Sequence, residues 1–63
     1  MKGFVELRRA GGKERVLVRA SDVAAIIEGG PRQETYLISA GGHLIYVASD
    51  YDTTVAVLAD ADA

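Results

Sequence analysis

The sequence predicts a mostly β protein of the α+β kind: about five antiparallel strands in glycine-turn hairpins, with one short C-terminal helix. Three observations predict it. Six of the seven glycines stand in pairs, Gly11-Gly12, Gly29-Gly30 and Gly41-Gly42, each between segments rich in Val, Ile, Leu, Tyr or Thr, which is the pattern of tight hairpins. Apolar and polar residues alternate on both sides of the first pair. A cap-like Ser49-Asp50-Tyr51-Asp52 precedes an apolar stripe near the end of the chain.

With Gly11 and Gly12 as the central residues of a type I′ turn, Arg9 faces Glu14, Leu7 faces Val16 and Val5 faces Val18. One face then holds Val5, Leu7, Val16 and Val18. The other holds Phe4, Glu6, Arg8, Arg15, Leu17 and Arg19. A slip of one residue turns half the valines into water, so this register is strongly specified. Type I′ geometry asks for positive φ at both central residues, where glycine alone escapes a steric cost.

Between the hairpins, Ser21 or Asp22 is placed to cap a single turn over 21–24, and the β-branched pair Ile26-Ile27 continues as a strand over 25–29. For the second hairpin, Gly41-Gly42 as central residues pairs Ile38 with Ile45 and Tyr36 with Val47. That leaves Thr35, Leu37, Ser39, Leu44, Tyr46 and Ala48 on the opposite face. Both faces are apolar. The final helix is expected to start with a Ser49–Asp52 capping box and to present Tyr51, Val55 and Leu58 as one stripe. Its Asp60-Ala61-Asp62-Ala63 tail is expected to fray, since carboxylates oppose the dipole there.

Size sharpens the point about the second hairpin. The 63 residues, 49% hydrophobic and 25% charged, make a single domain over 1–63 that buries only about 60% of its unfolded surface. There is no cysteine to add a disulfide or a thiolate metal site. Self-association is the remaining common source of stability. The helix covers one sheet face, so a hairpin apolar on both sides needs a second cover. Leu37, Leu44 and Tyr46 are the expected oligomer or partner surface, with a homo-oligomer favoured over a different protein partner. No apolar run approaches the roughly 18 residues of a membrane span and no signal-peptide core opens the chain. The expectation is a cytoplasmic protein without membrane contact.

The net charge of −2 argues against a dedicated nucleic-acid binder, but it is unevenly spread. Residues 1–19 carry six basic and two acidic groups; residues 20–63 carry one basic and seven acidic groups. Arg8, Arg15 and Arg19 share the wet face of the first hairpin. They are the candidate contacts for an anion or for nucleic acid, and a small nucleic-acid-binding regulator is the alternative function. The bland reading is a solvated face whose arginine stems cover apolar neighbours.

Catalytic signals are lacking. His43 is the sole histidine and has neither an orienting carboxylate nor a nucleophile set around it. Gly11-Gly12-Lys13 is followed by Glu14 and flanked by strands, so it is a turn and not a phosphate loop. Asp50, Asp52, Asp60 and Asp62 lack calcium-loop spacing. The expectation is no enzyme, no cofactor and no metal.

The element order resembles the small flagellar and swarming-motility proteins of the FlbD type. The matching features are the opening Val5-Glu6-Leu7-Arg8-Arg9 strand, the Gly11-Gly12-Lys13 turn, the segment 21–27, and Val47-Ala48-Ser49-Asp50-Tyr51 leading into a helix. The chain departs from it in Gly29-Gly30-Pro31-Arg32-Gln33 and in the acidic-alanine tail. The resemblance implies a small cytoplasmic accessory factor and carries no catalytic residue. A second likeness, to the β-rich DNA-binding domain of LytTR-type response regulators, rests on 22–28 before a hairpin; that domain's basic recognition segments have no counterpart after residue 32. A small β-rich oligomeric protein of a phage or mobile element is a third reading.

Overall fold

The computed structural model describes residues 2–30 and 32–62. The order is β1 (Phe4–Arg8), β2 (Arg15–Arg19), a 3₁₀ turn (Ala20–Asp22), β3 (Val23–Glu28), β4 (Thr35–Ser39), β5 (Leu44–Val47) and α1 (Tyr51–Asp62). All pairings are antiparallel, in a two-stranded sheet β1-β2 and a three-stranded sheet β3-β4-β5. The five strands and the C-terminal helix are those the sequence predicts.

The first hairpin has the expected register, with Val5 opposite Val18, Leu7 opposite Val16 and Arg8 opposite Arg15. Its turn differs. Only Gly11 has positive φ, at +77°, and Gly12 N–H donates to the Arg9 carbonyl at 3.3 Å. A glycine at the third position of a four-residue turn is the requirement of type II, not of type I′.

The second hairpin departs further. Ser39 N–H donates to the His43 carbonyl and Gly42 N–H to the Ser39 carbonyl, each at 2.9 Å. The loop is therefore the three residues Ala40-Gly41-Gly42, with Gly42 left-handed at φ +88°. Three-residue hairpins of this kind end in a left-handed residue because the bulge has to re-aim the returning strand. The extra residue shifts the register by one: Leu37 pairs with Ile45, Tyr36 with Tyr46 and Ile38 with Leu44. The expected pairs Ile38–Ile45 and Tyr36–Val47 do not form.

β3 begins directly after the 3₁₀ turn, so the single turn is one residue earlier and the strand two residues earlier than expected. A bulge between Val23 and Ala25 inverts the alternation there. Val23 and Ile26 both pack against the core as a result.

Three contacts at one corner join the sheets. Arg9 bridges to Val47, Ala10 N–H donates to the Tyr46 carbonyl, and Ala48 N–H donates to the Arg8 carbonyl, both at 2.9 Å. The two sheets thus meet at the ends of β1 and β5, with β2 and β3 farthest from the joint. Leu7, Val18, Leu37, Val47 and Leu58 form the buried core, with Val5, Val16, Val23, Ile26, Ile45 and Val57 packed around it.

The helix cap lies one residue later than the capping box implies. Asp50 Oδ1 accepts from Thr53 N–H at 2.9 Å, which makes Asp50 the N-cap. Thr54 is fully buried, and its hydroxyl donates to the Asp50 carbonyl at 2.7 Å. The helix turns Thr54 and Leu58 to the core and leaves Tyr51 and Val55 half-buried. Residues 60–62 of the tail expected to fray are helical, and Ala63 lies outside the described residues.

Hydrogen bonds from Thr53, the side chain first and the backbone N–H second, hold the Asp50 carboxyl below its usual value of 3.8. A carboxyl with a depressed native pKa stabilises the fold above its unfolded pKa, and that contribution is lost as pH falls through the native value. Asp50→Ala should therefore lower the thermal midpoint at pH 7, and the difference from wild type should shrink steadily below about pH 4. Thermal melts across that range check it.

Candidate interaction surface

The register of the second hairpin decides what the three-stranded sheet shows to solvent. Residues directly opposite on antiparallel strands share a face. The face holding Leu37, Ile26 and Ile45 is packed against the core. The other face therefore carries two cross-strand rows, Ala25–Ile38–Leu44 and Ile27–Tyr36–Tyr46. No charged side chain interrupts them. Leu44 is 53% exposed and the other five are half-buried. The Tyr36 and Tyr46 rings lie 5.5 Å apart at 48°, a tilted aromatic pair within the favoured range.

This arrangement corrects the expected surface. Leu37 does not lie beside Leu44 and Tyr46; it is fully buried on the opposite side of the sheet. Leu44 and Tyr46 do lie on the open face. The residues missed from the sequence are Ile38, Tyr36, Ile27 and Ala25. Ser39 and His43 held the signal: His43 N–H donates to Ser39 Oγ at 3.0 Å, which closes the longer loop.

The basic strip is on the outer face of β1-β2, as the sequence places it. Arg8 and Arg15 are directly opposed. Arg15 Nη1 lies 3.8 Å from Glu6 Oε1, and the Arg19 guanidinium stands 5.1 Å from the centre of the Phe4 ring. Arg9, at the turn end, pairs with Glu14 at 3.0 Å. These are exposed contacts, each worth up to about 1 kcal/mol. They nonetheless give two of the three strip arginines a partner within the hairpin. Leu17, 54% exposed, sits between Arg15 and Arg19.

Elsewhere the chemistry is sparse. His43 lies exposed in the hairpin loop with Ser39 Oγ 3.5 Å from its Nδ1. Among the described residues no three of His, Asp and Glu converge as a metal-holding group, and no helix is long and apolar enough to cross a membrane.

The chain was compared with protein-family models, with curated proteins and with solved structures, and none of them matches.

Proposed function

We propose that this protein is a non-enzymatic interaction module that self-associates through the outer face of β3-β4-β5. It is a small cytoplasmic accessory factor of the kind the motility-protein resemblance implies. The observation that carries this reading is the six-residue face: two rows of Ala, Ile, Leu and Tyr that hold no charge, with Arg32 and Glu34 only at the Tyr46 end. Contiguous apolar patches rimmed by polar groups mark contact sites. A second copy brings the same uncharged patch, so an isologous contact meets no like-charge penalty.

Nucleic-acid binding through Arg8, Arg15 and Arg19 has less support. Glu6 and Phe4 already engage two of the three guanidinium groups, and the chain as a whole carries −2. Light scattering on a dilution series tests the proposal. The mass should exceed the 6.7 kDa of one chain and fall on dilution. A mass fixed at one chain up to about 1 mM, where a contact worth only ~4 kcal/mol is half-formed, overturns it.

A further inference from the structure

The outer face is small. Three strands spaced about 4.8 Å apart, over some four residues of about 3.4 Å, project roughly 200 Å². A standard stable interface buries about 800 Å² per partner. A second contact between copies is needed, and the fold has a place for one.

β2 and β3, the strands farthest from the joint between the sheets, each lack a backbone partner on their far sides among the described residues. The two edges differ in how they are guarded. β2 is Arg-Val-Leu-Val-Arg. Pairing two copies antiparallel about Leu17 sets Arg15 against the partner's Arg19, and charges of this kind keep edges apart. β3 is Val-Ala-Ala-Ile-Ile-Glu, with no charge before Glu28. Gly29 N–H donates to the Glu34 carbonyl on the β4 side. By the alternation of antiparallel ladders, the backbone groups of Ile26 and Glu28 then point away from β4. A partner strand centred on Ile26 sets Ala24 against the partner's Glu28 and Ala25 against the partner's Ile27, with no like charges opposed.

A groove of about 410 Å³ runs beside the same edge. Val23, Ala24 and Ile26 line it on the strand side; Tyr51, Val55, Leu58 and Ala59 line it on the helix side, with Asp62 at its end. Tyr51 and Val55 are the half-buried part of the α1 stripe, and Ala59 extends their side of the helix by one turn.

We infer that a second copy of this chain docks antiparallel along β3, continuing the sheet, with the α1 helices of the two copies meeting over the groove. The two-fold axis stands perpendicular to the sheet, so the open faces of the two copies join on one side and their helices on the other. The joined face is twice the size of the single one. Two such pairs stacked through it make a four-copy assembly of dihedral symmetry. The stacking step rests on the reading proposed above; the edge contact does not.

The test uses the full chain with Ala24→Pro, Ala59→Arg and Leu44→Lys variants, measured by light scattering, with amide spectra to check folding. Val23 is extended (φ −82°, ψ 116°), which suits the residue before a proline. If Ala24→Pro nevertheless fails to fold, Ala59→Arg, on the exposed side of α1, carries the test alone. Wild type should have the mass of four chains and Leu44→Lys half of that. Ala24→Pro and Ala59→Arg, which leave only the small outer face, should have at most half the wild-type mass and fall toward one chain on dilution, and the Ala59→Arg/Leu44→Lys double variant should have the mass of one. In wild type, exchange of the Ile26 and Glu28 amides should slow as concentration rises. Wild-type mass in both Ala24→Pro and Ala59→Arg, with those amides exchanging equally at every concentration, overturns the edge contact; halving by Leu44→Lys alone then leaves the outer-face reading standing. Halving by Ala59→Arg while Leu44→Lys keeps the wild-type mass supports the edge contact and removes the outer-face reading.

Discussion

Leu44→Lys is expected to halve the mass of the associated protein while leaving its fold intact. Leu44 begins β5 and stands opposite Ile38 on the open face, 53% exposed. In the free chain the lysine stem lies along the same neighbours with its ammonium in water, so the monomer loses no more than about 0.5 kcal/mol. Between two copies the charge is desolvated among Ile and Tyr side chains without a partner, which costs several kcal/mol. The contact should therefore be lost over the whole accessible concentration range. Leu17→Lys is the control. Leu17 is as exposed as Leu44, at 54%, but lies on the arginine face of the first hairpin. It should leave the mass unchanged.

Leu37→Ala is expected to do the reverse and remove a large fraction of the protein's stability. Leu37 is fully buried in the central strand, on the core side among Leu7, Val18, Val47 and Leu58. Truncating a leucine there costs about 2–5 kcal/mol in lost burial and residual cavity. Domains have ~0.05–0.15 kcal/mol of stability per residue, or about 3–9 kcal/mol for a chain of this length. The loss is a large fraction of the whole. A urea titration followed by circular dichroism should show the midpoint fall steeply or the native baseline vanish. The pair of substitutions also checks the register. Were Leu37 on the outer face with Leu44 and Tyr46, its truncation would change mass and spare stability.

The contrast between the two hairpins explains what was legible in the sequence. In the first, Val5, Leu7, Val16 and Val18 alternate with Glu6, Arg8, Arg15 and Arg19. Only one register buries all the valines, so the pairing follows even though the turn type is different. In the second, Tyr36, Leu37, Ile38, Leu44, Ile45, Tyr46 and Val47 are apolar without interruption. Either register buries something, and loop length alone decides. Ala40-Gly41-Gly42 contains the glycine pair of a two-residue turn and the left-handed glycine of a three-residue one. One residue of difference moved Leu37 from the expected surface to the core. The bulge in β3 was equally hidden, because Ala24 carries no sign of being the extra residue. At the helix start, Ser49 and Asp50 are both competent caps, and the choice rests on which one reaches a free N–H. The strip of Arg8, Arg15 and Arg19 was legible as geometry, since it follows from the first register. Its internal partners Glu6 and Phe4 follow from the same pairing.

The proposed self-association requires copies to meet through Ala25, Ile27, Tyr36, Ile38, Leu44 and Tyr46. Backbone and side-chain chemical shifts of the wild-type chain, followed from dilute to concentrated solution, test this most directly. The largest concentration-dependent changes should fall on those six residues, joined by the β3 edge and the 51–55–59 side of α1. Changes confined to Phe4, Arg8, Arg15, Leu17 and Arg19, or spectra identical at every concentration, would contradict it.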